Sequence, residues 1–501
     1  MRNMIIKIVV FILPTLFCVG IKAQTFEYLY NTPVEHVFTD VVELDSSFLF
    51  VGAEGRYPTT YPLAVKVSKI GTLLKDTVDY SKFGRHYRSI LKKNNQDLLL
   101  VEMNAMNHQP EKIVINSVNE RLDSVGLSFE YKDTSEYIIR KSRMVSDSQM
   151  VVVGTEINNG TRIFFALLYN IQKHTAQQFH FQAPLGGLAM VSDVLLLNGK
   201  YYFFKTRIRT TPSSCVTGTE IARFNTDLTH DTSVAICNSV SDSIDRNFYH
   251  NITAQKISDS TFMMVARADE NSSVRYPDQI GHLIWDTNFT EMSAKLYGKT
   301  NNSVTIQAEQ SISRFQNDLY VYLGGTENYK INPSGYDTVP GEYFLIKTDL
   351  NGDTLWTRYY SNNTYVLMSG VKATSDGGAL MYGTSYDYRT ANGFENDVWI
   401  VKVDSNGNYQ TSTALKEQGA IPANNFRFFP NPMKEELNFR QLNEQHSYSL
   451  KIMDVSGREV SHHLINSSDY RINVSALSAG MYIYYLTDEN GNYASGKLVK
   501  K

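Results

Sequence analysis

Nine aromatic residues lie in segments that are otherwise polar and turn-forming: Tyr57, Tyr61, Tyr276, Tyr329, Tyr336, Tyr343, Tyr386, Tyr388 and Phe394. A tyrosine ring offers a flat apolar face and a hydroxyl, a combination that suits sugar rings and protein surfaces alike. The same rings can also pack a loop onto the element beneath it, and the sequence leaves both readings open. Carboxylates share these segments (Glu54, Asp269, Glu270, Asp278, Asp387, Glu395 and Asp397), so an acid–base pair could assemble in space.

Other chemistries find little support. There is no G-x-S-x-G, no H-E-x-x-H and no phosphate-cradling glycine loop. The histidines lack metal-ligand spacing, and His462 and His463 fall on one expected strand, where neighbouring side chains point apart. Asp349-Leu350-Asn351-Gly352 and its counterparts at 404–407 and 488–491 resemble the start of a calcium loop. The sixth and twelfth positions, Thr354 and Tyr360, do not fit such a loop, and the runs read as turns. No metal and no cofactor is expected. With 48 basic and 51 acidic residues, the chain gives no electrostatic reason to bind nucleic acid.

The elements that position these residues repeat. An apolar strand recurs at 48–52, 98–102, 150–154, 201–205, 262–266, 319–325 and 379–383, each after a polar turn. A second strand with its own turn follows at 64–71, 113–120, 167–174, 221–228, 283–289, 345–352 and 400–407. Anchored on Ser68, Ser117, Asn170, Asn225, Asp286, Asp349 and Asp404, the spacing runs from 49 to 63 residues. Each unit has room for four short strands, and no helical period occurs. A twisted four-stranded sheet cannot cover both its apolar faces, but neighbouring copies cover each other. The expected fold is therefore all-β: a seven-bladed β-propeller over 24–415, with a β-solenoid or a pair of sandwiches as the alternative. Either FEYLYN (26–31) or residues 409–415 would close the ring.

This pattern sorts the connections by face. Turns after the third strand are short, as at Asn351-Gly352 and Asn406-Gly407. Connections between the second and third strands are long and carry most of the aromatic residues. Lys66, Arg223, Lys347 and Lys402 share one position and read as a solvated strand edge. Cys215 and Cys237 fall near one another across the 225–229 turn, as a disulfide or as two buried thiols.

Residues 1–23 read as a signal peptide: Arg2 and Lys7, an apolar run from Ile8 to Val19, then Ala23 before Gln24. An uncleaved anchor is the alternative, but the run is short of the roughly 20 residues a spanning helix needs. Residues 416–425 read as a linker. Rapid strand alternation over 426–501, with turns at Ser456-Gly457, Ala479-Gly480 and Asn490-Gly491, indicates a small β-sandwich.

This last segment resembles the C-terminal (Por-type) sorting domain of the type IX secretion system of the Bacteroidetes. The residues that carry the resemblance are Pro430-Asn431-Pro432, the run Ile452–Arg458 with Gly457, Leu477–Tyr482 with Gly480 and Tyr482, and the basic end with Lys497 and Lys500. The resemblance implies engagement of that secretion machinery, passage across the outer membrane, removal of the tail near 416–425, and a secreted or surface-held product. Three functions remain open: recognition of an extracellular glycan or protein, a degradative enzyme with its site at the channel mouth, and a structural surface component.

Overall fold

The computed structural model describes residues 24–409 and 425–501, apart from 33, 57–58, 95–96, 105–111, 127, 133–134, 159–160, 182–187, 209–216, 237–246, 270–277, 299–305, 328–339, 388, 390–395, 443–446, 455–457 and 489–492. Every helix or strand among the described residues is a strand. The chain divides into two compact units, one up to Gln410 and one from Thr411.

In the first unit, strands run in consecutive antiparallel sets of four, at 36–78, 85–132, 136–181, 188–236 and 247–297. The remaining strands form one eight-stranded sheet made of two such sets, 306–360 and 365–403, bridged in parallel at Gln310 and Gly370. The last set takes its outer strand from the N-terminal side. Phe26–Tyr30 runs antiparallel to Asp397–Val403, from Phe26 opposite Lys402 to Tyr30 opposite Val398. Trp399 Nε1 donates to Glu27 Oε1 at 2.9 Å across this pairing.

The unbroken apolar second strands follow from burial on both faces. In Ser47–Glu54, Phe48 and Phe50 enter a core shared with the last set, while Leu49 and Val51 enter one shared with the second. Leu99 and Val101, Tyr201 and Phe203, and Phe262 and Met264 divide in the same way between neighbours. Further cores join the fifth set to the sixth and the sixth to the last. The sets thus stack face to face in order, as in a propeller.

The innermost strands carry a shared irregularity. The ladder skips Thr39, Arg88, Arg140, Ser192 and Ser369 at corresponding positions in five sets. Such bulges re-aim side chains. The facing residue in three of these sets is Gly52, Gly154 or Gly383, where a Cβ would come within 2.1 Å of the inner strand's carbonyl oxygen. Asp40 and Asp193 follow two of the bulges. Each accepts from the next backbone N–H of its own strand and from one of the adjacent set, Ile90 or Ala254, which pins inner strands together.

The shared basic position is not a solvated edge. Lys66 reaches the Glu120 carbonyl, Arg223 that of Thr287, and Lys347 that of Ser405, each in the turn of the following set. Lys402 is 1 % exposed and donates to both Asp376 oxygens. Antiparallel packing leaves those turn carbonyls facing the neighbour's third strand, and a long cation satisfies them. The turns at 349–352 and 404–407 use their carboxylates on backbone: Asp349 Oδ1 accepts from the N–H groups of Asn351 and Asp353, and Asp404 Oδ1 from those of Asn406 and Asn408.

In the second unit, a three-stranded and a four-stranded sheet share one core of Phe426, Met433, Leu437, Phe439, Leu450 and neighbours. Phe426–Phe429 forms a strand against Glu436–Gln441.

Candidate functional site

The long connections bear mostly on residues outside those described. Tyr57, Tyr276, Tyr329, Tyr336, Tyr388, Phe394, Cys215, Cys237 and Gly457 lie there, as do 1–23 and 416–424. Two of the nine aromatic candidates are corrected by burial. Tyr343 is 0 % exposed on the strand Glu342–Asp349, packs on Trp399 and donates to its carbonyl oxygen at 3.1 Å. Tyr386 ends Ala379–Tyr386 and is also buried. Both belong to strands rather than to the loop before or after them, and Tyr343 enters the core between the sixth set and the last.

Tyr61 lies at the surface, half-buried at the start of Tyr61–Ser68. It meets two rings that sequence reasoning missed. Tyr80 is 5.1 Å away at 65°, and Phe83 is 5.7 Å away at 66°. These two lie on the connection between the first two sets and are 65 % and 47 % exposed. The connection is held from within. Asp79 Oδ1 accepts from the N–H and hydroxyl of Ser81, and Gly84, at φ 71°, donates to the Thr60 carbonyl. Burial would raise the Asp79 pKa, but the Ser81 bonds and Lys82 hold it below the usual carboxylate range. The signal available in sequence was the spacing of Tyr80 and Phe83 in a connection too short to bury them.

Charged groups surround this patch, and they are paired. Tyr80 Oη donates to Glu54 Oε1 at 2.7 Å, and the buried His36 lies 3.5 Å from Glu54 Oε2. The Glu54 bond raises the Tyr80 pKa. Lys82 and Arg85 donate to the two oxygens of buried Glu102 at 2.7 and 2.8 Å. In the third set Glu156 accepts from Ser135 at 2.6 Å and from Gln178 at 3.0 Å, and contacts His180 Nε2. His180 is about half-exposed, whereas Glu156 is buried, so the carboxylate orients an imidazole that faces water.

The axis is crossed by side chains. Arg88 donates to Glu309 at 3.0 Å, from the second set to the sixth. Lys141 donates to Gln310 Oε1, whose amide nitrogen donates to the Thr39 carbonyl at 2.6 Å. These bonds tie the inner strands of distant sets together across the axis. Among the described residues, no group of three or more His, Cys, Asp or Glu side chains could hold a metal.

In the terminal unit, the two ends of the motif meet. Asn431 Nδ2 donates to the Lys497 carbonyl at 3.0 Å, and its Oδ1 accepts from Val499 N–H at 2.9 Å. Met433 N–H donates to Val499, and Lys501 N–H returns to Met433. Pro430, Asn431 and Pro432 therefore lie beside the strand bearing the exposed Lys497 and half-buried Lys500. Tyr482 donates to the Ser478 carbonyl, closing the turn that contains Gly480.

Residues 427–501 match the family described as the secretion system C-terminal sorting domain. The chain is thus a propeller protein bearing a type IX sorting tail, which implies export to the cell surface or beyond. It is 29 % identical over 174 residues to an endo-acting ulvan lyase of Formosa agariphila, covering 32 % of this chain and 31 % of that protein. The chain therefore spans less than a third of the length of that curated relative. Similar solved structures include the β-propeller domain of the Trilobed protease from Pyrococcus furiosus (9 % identity, TM-score 0.43, 74 % of this chain and 94 % of that one). Others are the polysaccharide lyase Uly1 (9 %, 0.40, 78 % and 94 %) and the Pyrococcus horikoshii acylaminoacyl peptidase (10 %, 0.42, 81 % and 57 %). No helix among the described residues is long and apolar enough to cross a membrane.

Proposed function

We propose that this protein is a recognition module of a Bacteroidetes cell: a seven-bladed propeller, closed by Phe26–Tyr30, that binds an extracellular glycan through its long-loop face. A signal peptide over 1–23 starts export. A β-sandwich at 426–501 completes it by engaging the type IX machinery, and the tail is removed near 416–425. Sheet stacking in a continuous circuit, the last set sharing a core with the first, supports the seven-blade reading. The observation that carries the functional reading is the Tyr61–Tyr80–Phe83 cluster. Exposed rings on a hydrogen-bonded connection lose little entropy on binding, and their faces suit the C–H surface of a sugar.

The test is a glycan array probed with the full chain and with a Tyr80→Ala/Phe83→Ala variant. A discrete hit that the variant loses, with its thermal unfolding unchanged, supports recognition. A hit retained by the variant places the site elsewhere.

The Glu156–His180 pair and the similarity to an ulvan lyase favour a second reading, a polysaccharide-degrading enzyme. In that case His180 serves as the proton acceptor and Glu156 fixes its orientation. Ultraviolet absorbance of an unsaturated product from an acidic polysaccharide, abolished by His180→Ala, would establish it.

A further inference from the structure

The innermost strands end, on the face opposite the long loops, around a cavity of about 640 Å3. Its charged lining is uneven. Lys92, Lys141, Arg143, Arg314 and Lys372 face Glu43 and Asp45. Glu43 is already engaged, with Lys69 and with the N–H and hydroxyl of Ser375. Arg143 is held by Asp193, at 2.7 and 2.6 Å. Arg314 donates to the carbonyls of Asp318 and Ile257 and to no carboxylate. Lys92, Lys141 and Lys372 have no carboxylate within ion-pair distance among the described residues. Half-buried Lys141 lines the cavity and has a single bond, to Gln310 Oε1 at 3.1 Å. Among the described residues its ammonium has no second acceptor, and Gln255 also lines the cavity.

We propose that this cavity is a binding site for a small ligand bearing an oxyanion group: a carboxylate, sulfate or phosphate. An ammonium removed from bulk water without a counter-charge is costly, and an arriving oxyanion supplies both the charge and the acceptors. The volume suits a ligand of monosaccharide or disaccharide size, within the roughly 300–1,000 Å3 of small-molecule sites. Phe315 also lines the cavity and adds an apolar face.

The titration of Lys141 agrees with this geometry. Burial lowers its pKa to about 8, Asp193 and Asp40 oppose that shift, and Arg143 and Lys372 add to it. Of the surrounding carboxylates, Asp193 is committed to Arg143, Asp40 to two backbone N–H groups, Glu309 to Arg88 and Glu43 to Lys69, while the exposed Asp45 also lines the cavity. Lys141 is thus a cavity-lining group that changes charge around pH 8. It carries its proton below that pH and loses it above, so anion affinity falls as pH rises, and binding near pH 8 takes up a proton.

The experiment is isothermal titration of the full chain with sodium sulfate, sodium phosphate and glucuronate, with glucose as the neutral control, at constant chloride. At least one anion should bind and glucose should not. Sulfate affinity should fall about tenfold between about pH 7 and pH 9.5, with proton uptake near pH 8 seen in buffers of different ionisation enthalpy. Lys141→Met should weaken binding about tenfold or more, while Lys141→Arg should keep the affinity and flatten the pH profile. A preference for glucuronate over sulfate and phosphate would point to an acidic sugar, and the reverse to a free or esterified inorganic anion. If Lys141→Met fails to fold, Lys372→Met and the wild-type pH profile decide. The proposal is overturned if none of the three anions binds, or if folded Lys141→Met and Lys372→Met variants bind as well as wild type.

Discussion

The two ends of the inner strands treat charge differently. At the long-loop end, Glu54, Glu102 and Glu156 each have donors within reach, and the exposed surface beside them is aromatic. At the turn end, Glu43 is occupied by Lys69 and Ser375, and Lys92, Lys141 and Lys372 are left over in a cavity. Paired charges there hold neighbouring sets together and have nothing to gain from a ligand. Unpaired ones raise the energy of the empty protein and lower it again when an anion arrives. On the proposals made above, the first end recognises by shape and ring faces, the second by charge.

Breaking the pairing should cost most. Asp193 is 0 % exposed and accepts from Arg143 and from two backbone N–H groups. Asp193→Ala leaves a cation and two donors unsatisfied. We expect a loss of about 3–5 kcal/mol in urea unfolding. A small change would mean that these donors find water.

Lys205 and Glu220, 3.1 Å apart and both buried, give a controlled version. Lys205→Met alone should destabilise by about 3 kcal/mol, and Lys205→Met with Glu220→Leu should recover most of it. A double-mutant cycle showing simple additivity would remove the pair from the set of structural charges.

At the aromatic end, stability and binding should separate. Tyr80→Ala/Phe83→Ala should change unfolding free energy by only about 0.5 kcal/mol, because the rings are exposed, while glycan binding falls about tenfold. Loss of both together would make the patch a packing element.

The smallest effect concerns acid. His282 is fully buried, neither ring nitrogen has a hydrogen-bond partner, and burial lowers its pKa to about 4, with Lys295 adding to the shift. The folded protein resists a proton that the unfolded chain accepts near pH 6.5, so stability present above that pH is lost as pH falls towards 4. His282→Phe should flatten part of this slope. His86, lowered to about 4 by burial and then by Arg88, should retain the rest. Unfolding midpoints measured between these pH values test the assignment.

How much could be read in advance follows from the range of the interactions. The second strands were visible because burial on two faces writes an unbroken apolar run. The third-strand turns were visible because Asp-x-Asn-Gly carries its own hydrogen bonds. The terminal motif was visible because its residues are fixed in order. The shared cations at Lys66, Arg223 and Lys347 were misjudged because their partners lie in the following set, 54 to 64 residues away, and Lys402 because it folds onto Asp376 of its own set. Tyr343 and Tyr386 were misplaced by one or two residues at a strand end, where a period of two decides between core and water.

By itself, then, the sequence determined the all-β class, the repeating unit, the sorting tail and the face that carries the long connections. These depend on local periodicity and turn chemistry. Tertiary structure decided which N-terminal strand closes the last set, which rings meet at Tyr61, and which lysines are left without a carboxylate. Each of those depends on residues far apart in the chain that come together only when the sets stack and the bulged inner strands turn their side chains to the axis.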